Sequence, residues 1–290
     1  MTTAVASALT SSSDGPAIPS AGAPGAASAE QPGAPASRPH QAAALPLDRE
    51  GREIDREAAL PLLDGLEPQE RLAWALQTFG HGLALTTSFG IQSAVLLHML
   101  CQLEDGGRSV PVIWIDTGYL PPETYRYAEQ LHAQLGFDLR VVQASLSPAR
   151  MEALHGRLWE TGRREDLELY NRLRKVEPLE RAFADRSVAC WASGVRGTQT
   201  DHRSTMAVLE GIRGRWSLRP LLAWSRRDVY YYMERHALPQ HPLFAQGYST
   251  VGDWHTSAPD DGTTSGRATR FGGLKQECGI HLPGLMGEGI

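Results

Sequence analysis

Cysteine is scarce in this chain: 290 residues hold three, Cys101, Cys190 and Cys278, far apart in sequence. An odd, small number is no disulfide framework and suits a reducing compartment. No run reaches the roughly 18 apolar residues that a membrane-spanning helix needs. Neither sign of charge dominates. A formal net charge of −5 argues against a general polyanion binder, so any anionic ligand must be met by a local cluster of Arg and Lys. Large apolar side chains are nearly missing from residues 1–45, which are rich in Ala, Ser, Pro and Gly. Such a segment cannot bury enough surface to offset its ordering entropy, and a disordered extension is expected there. It lacks the basic region followed by an apolar run that marks a secretory signal. Arg is nearly absent before Arg38, which favours a plain solvated tail over a plastid transit peptide. No internal repeat is found.

What remains is an ordinary globular composition, 41% hydrophobic. Leu72, Ala75, Leu76 and Phe79 recur at helical spacing over Pro68–Phe79, and Gly80 and Gly82 end that helix. Leu83–Ser88 has the length of a buried strand. Ile91–Leu100 is almost wholly apolar and reads as a helix packed on a sheet. Val110–Asp116 is the next strand. Pro121-Pro122-Glu123 opens a helix whose inward positions are Thr124, Ala128, Leu131 and Leu135, with Gly136 as its C-terminal cap. Leu139–Val142, Val188–Ser193 and Trp216–Leu222 are further strands. This alternation predicts an α/β fold, a mostly parallel twisted sheet with helices on both faces. After Leu243 the chain turns Gly-rich and polar, which predicts a mobile C-terminal arm. The expected organisation is an extension over residues 1–45, a nucleotide-binding domain over 46–243 and an arm over 244–290.

In parallel sheets ligands sit outside the carboxyl ends of the strands. Small and polar residues gather there: Ser88-Phe89-Gly90, Asp116-Thr117-Gly118 and Gly194-Val195-Arg196. The first of these, continuing through Gln92, joins a strand to a helix. Free backbone N–H groups and the helix dipole make such a junction an anion site. It is not a Gly-Lys-Ser/Thr phosphate loop. The Asp116 carboxylate can accept from a ribose or a base amine. Arg172, Arg174, Lys175, Arg196 and Arg203, with Gln199 among them, form a basic series whose forked guanidinium groups suit phosphate or sulfate. Cys101 and Cys190 lie in apolar segments and read as small core residues. Cys278 lies in a polar, Gly-flanked stretch near Arg270, Lys275 and His281, and neighbouring cations favour a thiolate. The paired spacing of a zinc site is missing. Each feature alone admits a bland reading: a plain turn, an Asx turn, a solvated charged face, an incidental thiol.

Taken in order, five segments resemble the sulfonucleotide reductase family. They are Ser88-Phe89-Gly90-Ile91-Gln92; Asp116-Thr117-Gly118-Tyr119 with Pro122-Glu123-Thr124-Tyr125; Arg174-Lys175-Val176-Glu177-Pro178-Leu179; Ser193-Gly194-Val195-Arg196; and Glu277-Cys278-Gly279-Ile280-His281. The resemblance implies an adenine-nucleotide α-hydrolase-like fold and reduction of an adenylated sulfate. One branch of the family carries a four-iron cluster on two cysteine pairs. Here Tyr170 and Asn171 stand at the first pair, and Asp253 and Thr256 at the second. Three cysteines cannot supply the about four thiolates that a cluster needs. The chain therefore looks like the cluster-free branch, which acts on the 3′-phosphorylated nucleotide. Gly197 follows Arg196 where the family often has a second charged residue.

The resemblance further implies a mechanism. Ser88, Phe89, Gly90 and Gln92 would hold the nucleotide, Asp116 and Thr117 its base or ribose, with Gly194 beside them. Lys175, Arg196, Gln199 and Arg203 would neutralise phosphate and sulfate, with Arg270, Lys275 and His281 close to the Cys278 nucleophile. The products would be sulfite and adenosine 3′,5′-bisphosphate, in assimilatory sulfate reduction. Electrons would come from reduced thioredoxin or glutaredoxin, with no metal, flavin or iron-sulfur cluster. A cytoplasmic homodimer with no nucleic-acid or membrane partner is implied. The rival readings are an adenylyl-sulfate reductase, a pyrophosphatase-type adenylyltransferase on the same scaffold, and a non-catalytic nucleotide sensor. The adenylyltransferase would want an acidic residue in the first loop, where Ile91-Gln92-Ser93 stands.

Overall fold

A computed structural model describes residues 44–104, 106–264, 266–274, 277 and 279–282. The expected extension over residues 1–45 thus falls almost wholly outside the described residues.

Six strands form one sheet: β1 (Leu83–Thr87), β2 (Pro111–Asp116), β3 (Asp138–Gln143), β4 (Cys190–Ser193), β5 (Leu209–Ile212) and β6 (Arg215–Leu218), in the order β3-β2-β1-β4-β6-β5. All neighbours are parallel except β5 and β6, an antiparallel hairpin. Its turn is Arg213-Gly214, both at positive φ (48° and 72°), the backbone that a two-residue hairpin requires. The hairpin strand β5 is absent from the sequence reading, because Leu209-Glu210-Gly211-Ile212 is too short to show a period. The expected strand over Trp216–Leu222 stops at Leu218.

One face of the sheet carries α1 (Arg56–Gly65), α2 (Pro68–Phe79), α3 (Ser93–Cys101), α4 (Pro122–Leu135) and, later in the chain, α9 (Arg226–Arg235). The first of these packs on the outer strand β5. Pro68 and Pro122 open their helices at a first-turn position where no N–H is needed. Gly136 closes α4 at φ 68°, and Thr124, Ala128, Leu131 and Leu135 all point inward as expected. The helix α3 is apolar all round because it lies between the sheet and other helices, and each of Ala94 to Cys101 is buried. Cys101 and Cys190 are buried and unpaired, as read. Burial of Cys190 pushes its thiol well above the ordinary range.

The opposite face is covered by α7 (Glu177–Asp185), whose Leu179, Ala182 and Phe183 meet Ala84, Ile113 and Trp191. Between them in sequence lie α5 (Pro148–His155), α6 (Arg164–Asn171) and a π-helical turn over Arg172–Val176. The short helix α8 (Asp201–Ser204) follows β4.

The order places β1 between β2 and β4, so the connections leave it in opposite directions. Loops after β1 and β4 diverge there and leave a crevice at their carboxyl ends, the place where such sheets bind ligands.

Among the described residues after Leu243, several pack against the rest of the chain. Leu243 and Val251 pack with Ile91. Asp253, Thr256, Arg270 and Phe271 are buried. A Gly-rich polar stretch is read as mobile because it carries little apolar surface. Here it is held instead by ion pairs and hydrogen bonds to the body, which local composition does not reveal.

Candidate active site

The loop after β1 is set by Phe89. Its backbone sits at φ 46° and its ring is fully buried against Trp114, with centroids 4.8 Å apart. A non-glycine residue in that region costs about 1 kcal/mol or more and persists only where packing compels it. The ring thus pins the loop from below and is not itself on the cavity. Thr87 accepts from the Phe89 N–H at 3.1 Å, and Ser93 donates to the Gly90 carbonyl at 2.8 Å. Ser88, Gly90, Gln92 and Ser93 are left lining the cavity.

Cations line another part of the wall. The π-helical turn projects Lys175 into the cavity, and the end of β4 delivers Gly194 and Arg196. Gln199 and Arg203 follow from the next turns, and Arg267 and Arg270 come from the far end of the chain. Arg196 is buried, and burial with Arg226 and Arg203 nearby lowers its guanidinium to about 10. It donates to the Gln92 side chain, tying the two loops across the crevice. Arg and Lys thus gather in one crevice of an acidic protein, a local cluster that the net charge alone hides.

Two carboxylates counter these cations. Asp253 is completely buried and lies 2.6 Å from the Lys175 ammonium. Thr117 donates to it as well. Burial alone would raise the Asp253 carboxyl, but the Lys175 ammonium and the Thr117 hydroxyl hold it far below the usual carboxylate range. Glu277 forms a bidentate pair with Arg203, both contacts at 2.8 Å, and accepts from Thr200 at 3.0 Å. Arg270 donates to Thr256 at 2.8 Å. A Cβ at Gly252 would collide with the Arg270 guanidinium, so only glycine lets that side chain lie along the backbone.

Ile280 and His281 complete the wall. The His281 ring stacks on Trp191, centroids 5.0 Å apart and planes 19° off parallel. Burial and the surrounding arginines push its pKa well below the ordinary value, so it is neutral at pH 7. Cys278 and Lys275 lie outside the described residues.

Of the expected site residues, Ser88, Gly90, Gln92, Thr117, Lys175, Gly194, Arg196, Gln199, Arg203, Arg270 and His281 meet around one cavity. Asp116 does not line it. Its carboxylate accepts from Tyr125 at 2.6 Å, Gln143 at 2.8 Å and the Gly118 N–H at 2.8 Å, and so braces the β2 end. Arg174 is buried beneath it and donates to the carbonyls of Thr117 and Leu146. Arg172 faces Glu177 at 3.6 Å. Asp253, Arg267 and Ser193 are residues the sequence reading missed as parts of the site. A usable signal existed for Asp253: a buried-site lysine needs a counter-ion, and Gly252-Asp253 is an acidic turn in the same stretch. Tyr170, Asn171, Asp253 and Thr256 present hydroxyls, an amide and a carboxylate, a donor set that does not fit an iron-sulfur cluster.

Comparison with known proteins fits this geometry. Residues 82–259 match the phosphoadenosine phosphosulfate reductase domain family. A phosphoadenosine 5′-phosphosulfate reductase from Synechococcus sp. is 55% identical over 212 residues, 73% of this chain and 90% of the relative. One from Synechocystis sp. is 48% identical, covering 76% and 88%. The crystal structure of phosphoadenylyl-sulfate (PAPS) reductase from Candida auris, a phosphate complex, superposes with a TM-score of 0.62 at 30% identity, covering 74% of this chain and all of that one. With more than half its length inside that domain and relatives this similar along nearly their whole length, the chain belongs to the phosphoadenosine phosphosulfate reductase family.

Proposed function

We propose that this chain reduces 3′-phosphoadenylyl sulfate to sulfite and adenosine 3′,5′-bisphosphate, with Cys278 as nucleophile and reduced thioredoxin or glutaredoxin as electron donor. The observation that carries this reading is the presence of Lys175, Arg196 and Arg203 around the cavity that the loop after β1 also lines. A nucleotide bearing two phosphates and a sulfate needs several buried cations at one crevice, and a simple mononucleotide does not.

In the reaction the Cys278 thiolate attacks the sulfate sulfur. A sulfur–sulfur bond forms, and the bond from sulfur to the phosphate oxygen breaks. The electron pair leaves with adenosine 3′,5′-bisphosphate, whose charge Lys175 and Arg196 offset. A thiolate of the partner dithiol then attacks the Cys278 sulfur. Sulfite departs with the bonding pair, and the second partner thiol resolves the mixed disulfide. The dithiol is oxidised and the sulfonate sulfur reduced, so no metal or flavin is required. Family membership, the small number of cysteines and the unpaired Cys101 and Cys190 support a cytoplasmic, reducing setting. Among the described residues no helix is long and apolar enough to cross a membrane. A homodimer is proposed as the working state.

The test is sulfite formation with the 3′-phosphorylated and the unphosphorylated nucleotide, each with and without thioredoxin. Cys278→Ser should abolish turnover and leave nucleotide binding intact. Mass spectrometry after substrate addition, without thioredoxin, should place a sulfonate on Cys278. A sulfonate on Cys101 or Cys190 would overturn the assignment.

A further inference from the structure

The tip of the β5–β6 hairpin holds an arginine in an unfavourable backbone. Arg213 sits at φ 48°, a region that Asn, Asp or Gly occupies more readily. A strained residue that persists points to a job for its side chain. That side chain is not solvated, as hairpin-tip arginines usually are: only 5% of it is exposed.

Each nitrogen of its guanidinium donates to a partner. Nε donates to Glu180 Oε1 at 2.7 Å, Nη1 to the Leu282 carbonyl at 2.7 Å and Nη2 to the Ile280 carbonyl at 2.9 Å. Glu180, on α7, is held from its other side by Arg215 at 2.5 Å. The fork of one arginine thus spans two carbonyls of the C-terminal segment and is itself braced by a carboxylate. Neither Arg213 nor Glu180 lines the cavity, whereas Ile280 and His281 do. On the other side of position 278, Glu277 is anchored by Arg203.

We propose that Arg213 is a positioning residue of the reductase: by gripping the Ile280 and Leu282 carbonyls it moors the segment that follows the nucleophile, and so sets the rate of sulfur attack without touching substrate. This rests on Cys278 being the nucleophile. The grip consists of hydrogen bonds to main-chain oxygens, so it is independent of the side chains in the segment. It can also be released and remade, as a cysteine that meets two reactants in turn requires.

The test uses the full-length enzyme and two variants. Arg213→Asn removes the guanidinium and keeps a residue at ease in the left-handed turn. Glu180→Gln leaves Arg213 in place and weakens its brace from a charged carboxylate to a neutral amide. Three quantities are read: the single-turnover rate of sulfonate formation on Cys278, the affinity for adenosine 3′,5′-bisphosphate, and amide exchange over residues 279–282. Misplacing a reacting group by about 1 Å can cost about 100-fold, so Arg213→Asn should slow sulfonation by at least about tenfold and Glu180→Gln by less. Exchange over 279–282 should rise in both, with bisphosphate affinity within about twofold of the parent. An unchanged sulfonation rate in Arg213→Asn overturns the proposal. So does a parallel loss of affinity in both variants, which would mark a merely structural role. If the parent itself forms no adduct on Cys278, the functional reading fails, and that result is distinct from either.

Discussion

The wall of the site built by the central strands and the wall built after Leu243 are made by different means. At the ends of β1 and β4, position follows from apolar packing: Phe89 is locked against Trp114, and α3 is buried along its length. Over the described residues after Leu243, apolar contacts are few beyond Val251 and Phe271, and charge and polar contact add most of the hold: Lys175 to Asp253, Arg203 to Glu277, Arg270 to Thr256, Arg213 to two carbonyls. Opening the first kind of wall would expose buried apolar surface to water. The second can be undone one contact at a time, which suits the side of a crevice that must admit a nucleotide and then a protein dithiol.

The largest effect should come from cutting the pair that joins the two walls. Removing one partner of a buried ion pair strands the other charge and costs about 3–5 kcal/mol. Asp253→Asn should therefore lower the denaturation midpoint sharply and collapse sulfite formation. Lys175→Met added to it should recover much of the stability and none of the activity, because no stranded charge remains but the cation is gone. Recovery of activity along with stability would show that Lys175 serves packing alone.

A core truncation should behave in the opposite way. Leu97 is fully buried within α3, and Leu97→Ala should cost about 2–5 kcal/mol of stability. Sulfite turnover per folded molecule should stay near the parent value at a temperature where the variant is folded. A selective loss of turnover instead would mean that the apolar wall is not rigid.

The same division decides what could be read from sequence. The helices Pro68–Phe79 and Pro122–Leu135 and the strands around Leu83 and Pro111 carry complete local signals: period, opening proline and closing glycine. The cations of the site were legible as residue types but not as partners. Arg174 and Lys175 are adjacent, yet one braces carbonyls under β2 and the other enters the cavity, a choice made by the π-helical turn. Asp116 reads as a ligand group because it ends a strand, and only the fold brings Tyr125 and Gln143 to its carboxylate. The described residues after Leu243 are held by partners distant in sequence, such as Lys175 for Asp253 and Arg203 for Glu277, and composition has no access to those.

Acid offers a way to separate the walls. Burial lowers both His241 and His255 from an ordinary 6.5 to about 4. Both are neutral in the fold at pH 7, while the unfolded chain takes up protons below pH 6.5. Their contribution to stability is therefore whole above pH 6.5 and is lost as pH falls toward about 4. His241 bonds Thr124 in the body at 3.1 Å, whereas His255 stacks on Trp159 at 3.8 Å within the outer wall. The melting temperature should fall over that window. His241→Asn and His255→Asn should each flatten the acid dependence of the melting temperature, and His255→Asn alone should also flatten that of the Trp fluorescence. Identical behaviour of the two variants would merge the two walls into one cooperative unit.

The finest distinction rests on two serines of the central strands. Ser193, at the end of β4, is 3% exposed and lines the cavity, and its hydroxyl has no partner among the described residues. Ser217, on β6, is fully buried, equally without a side-chain partner among them, and away from the cavity. An unpaired buried hydroxyl carries a desolvation penalty of about 1–3 kcal/mol, so neither Ser193→Ala nor Ser217→Ala should lower stability. Their effects on the ligand should differ. A hydrogen bond to bound nucleotide is worth about 0.5–1.5 kcal/mol, so Ser193→Ala should weaken adenosine 3′,5′-bisphosphate binding by about two- to tenfold. Ser217→Ala should leave binding unchanged. Equal effects would mean that the cavity-facing hydroxyl serves the strand rather than the ligand, and that even the apolar wall holds its nucleotide through the backbone and the cations alone.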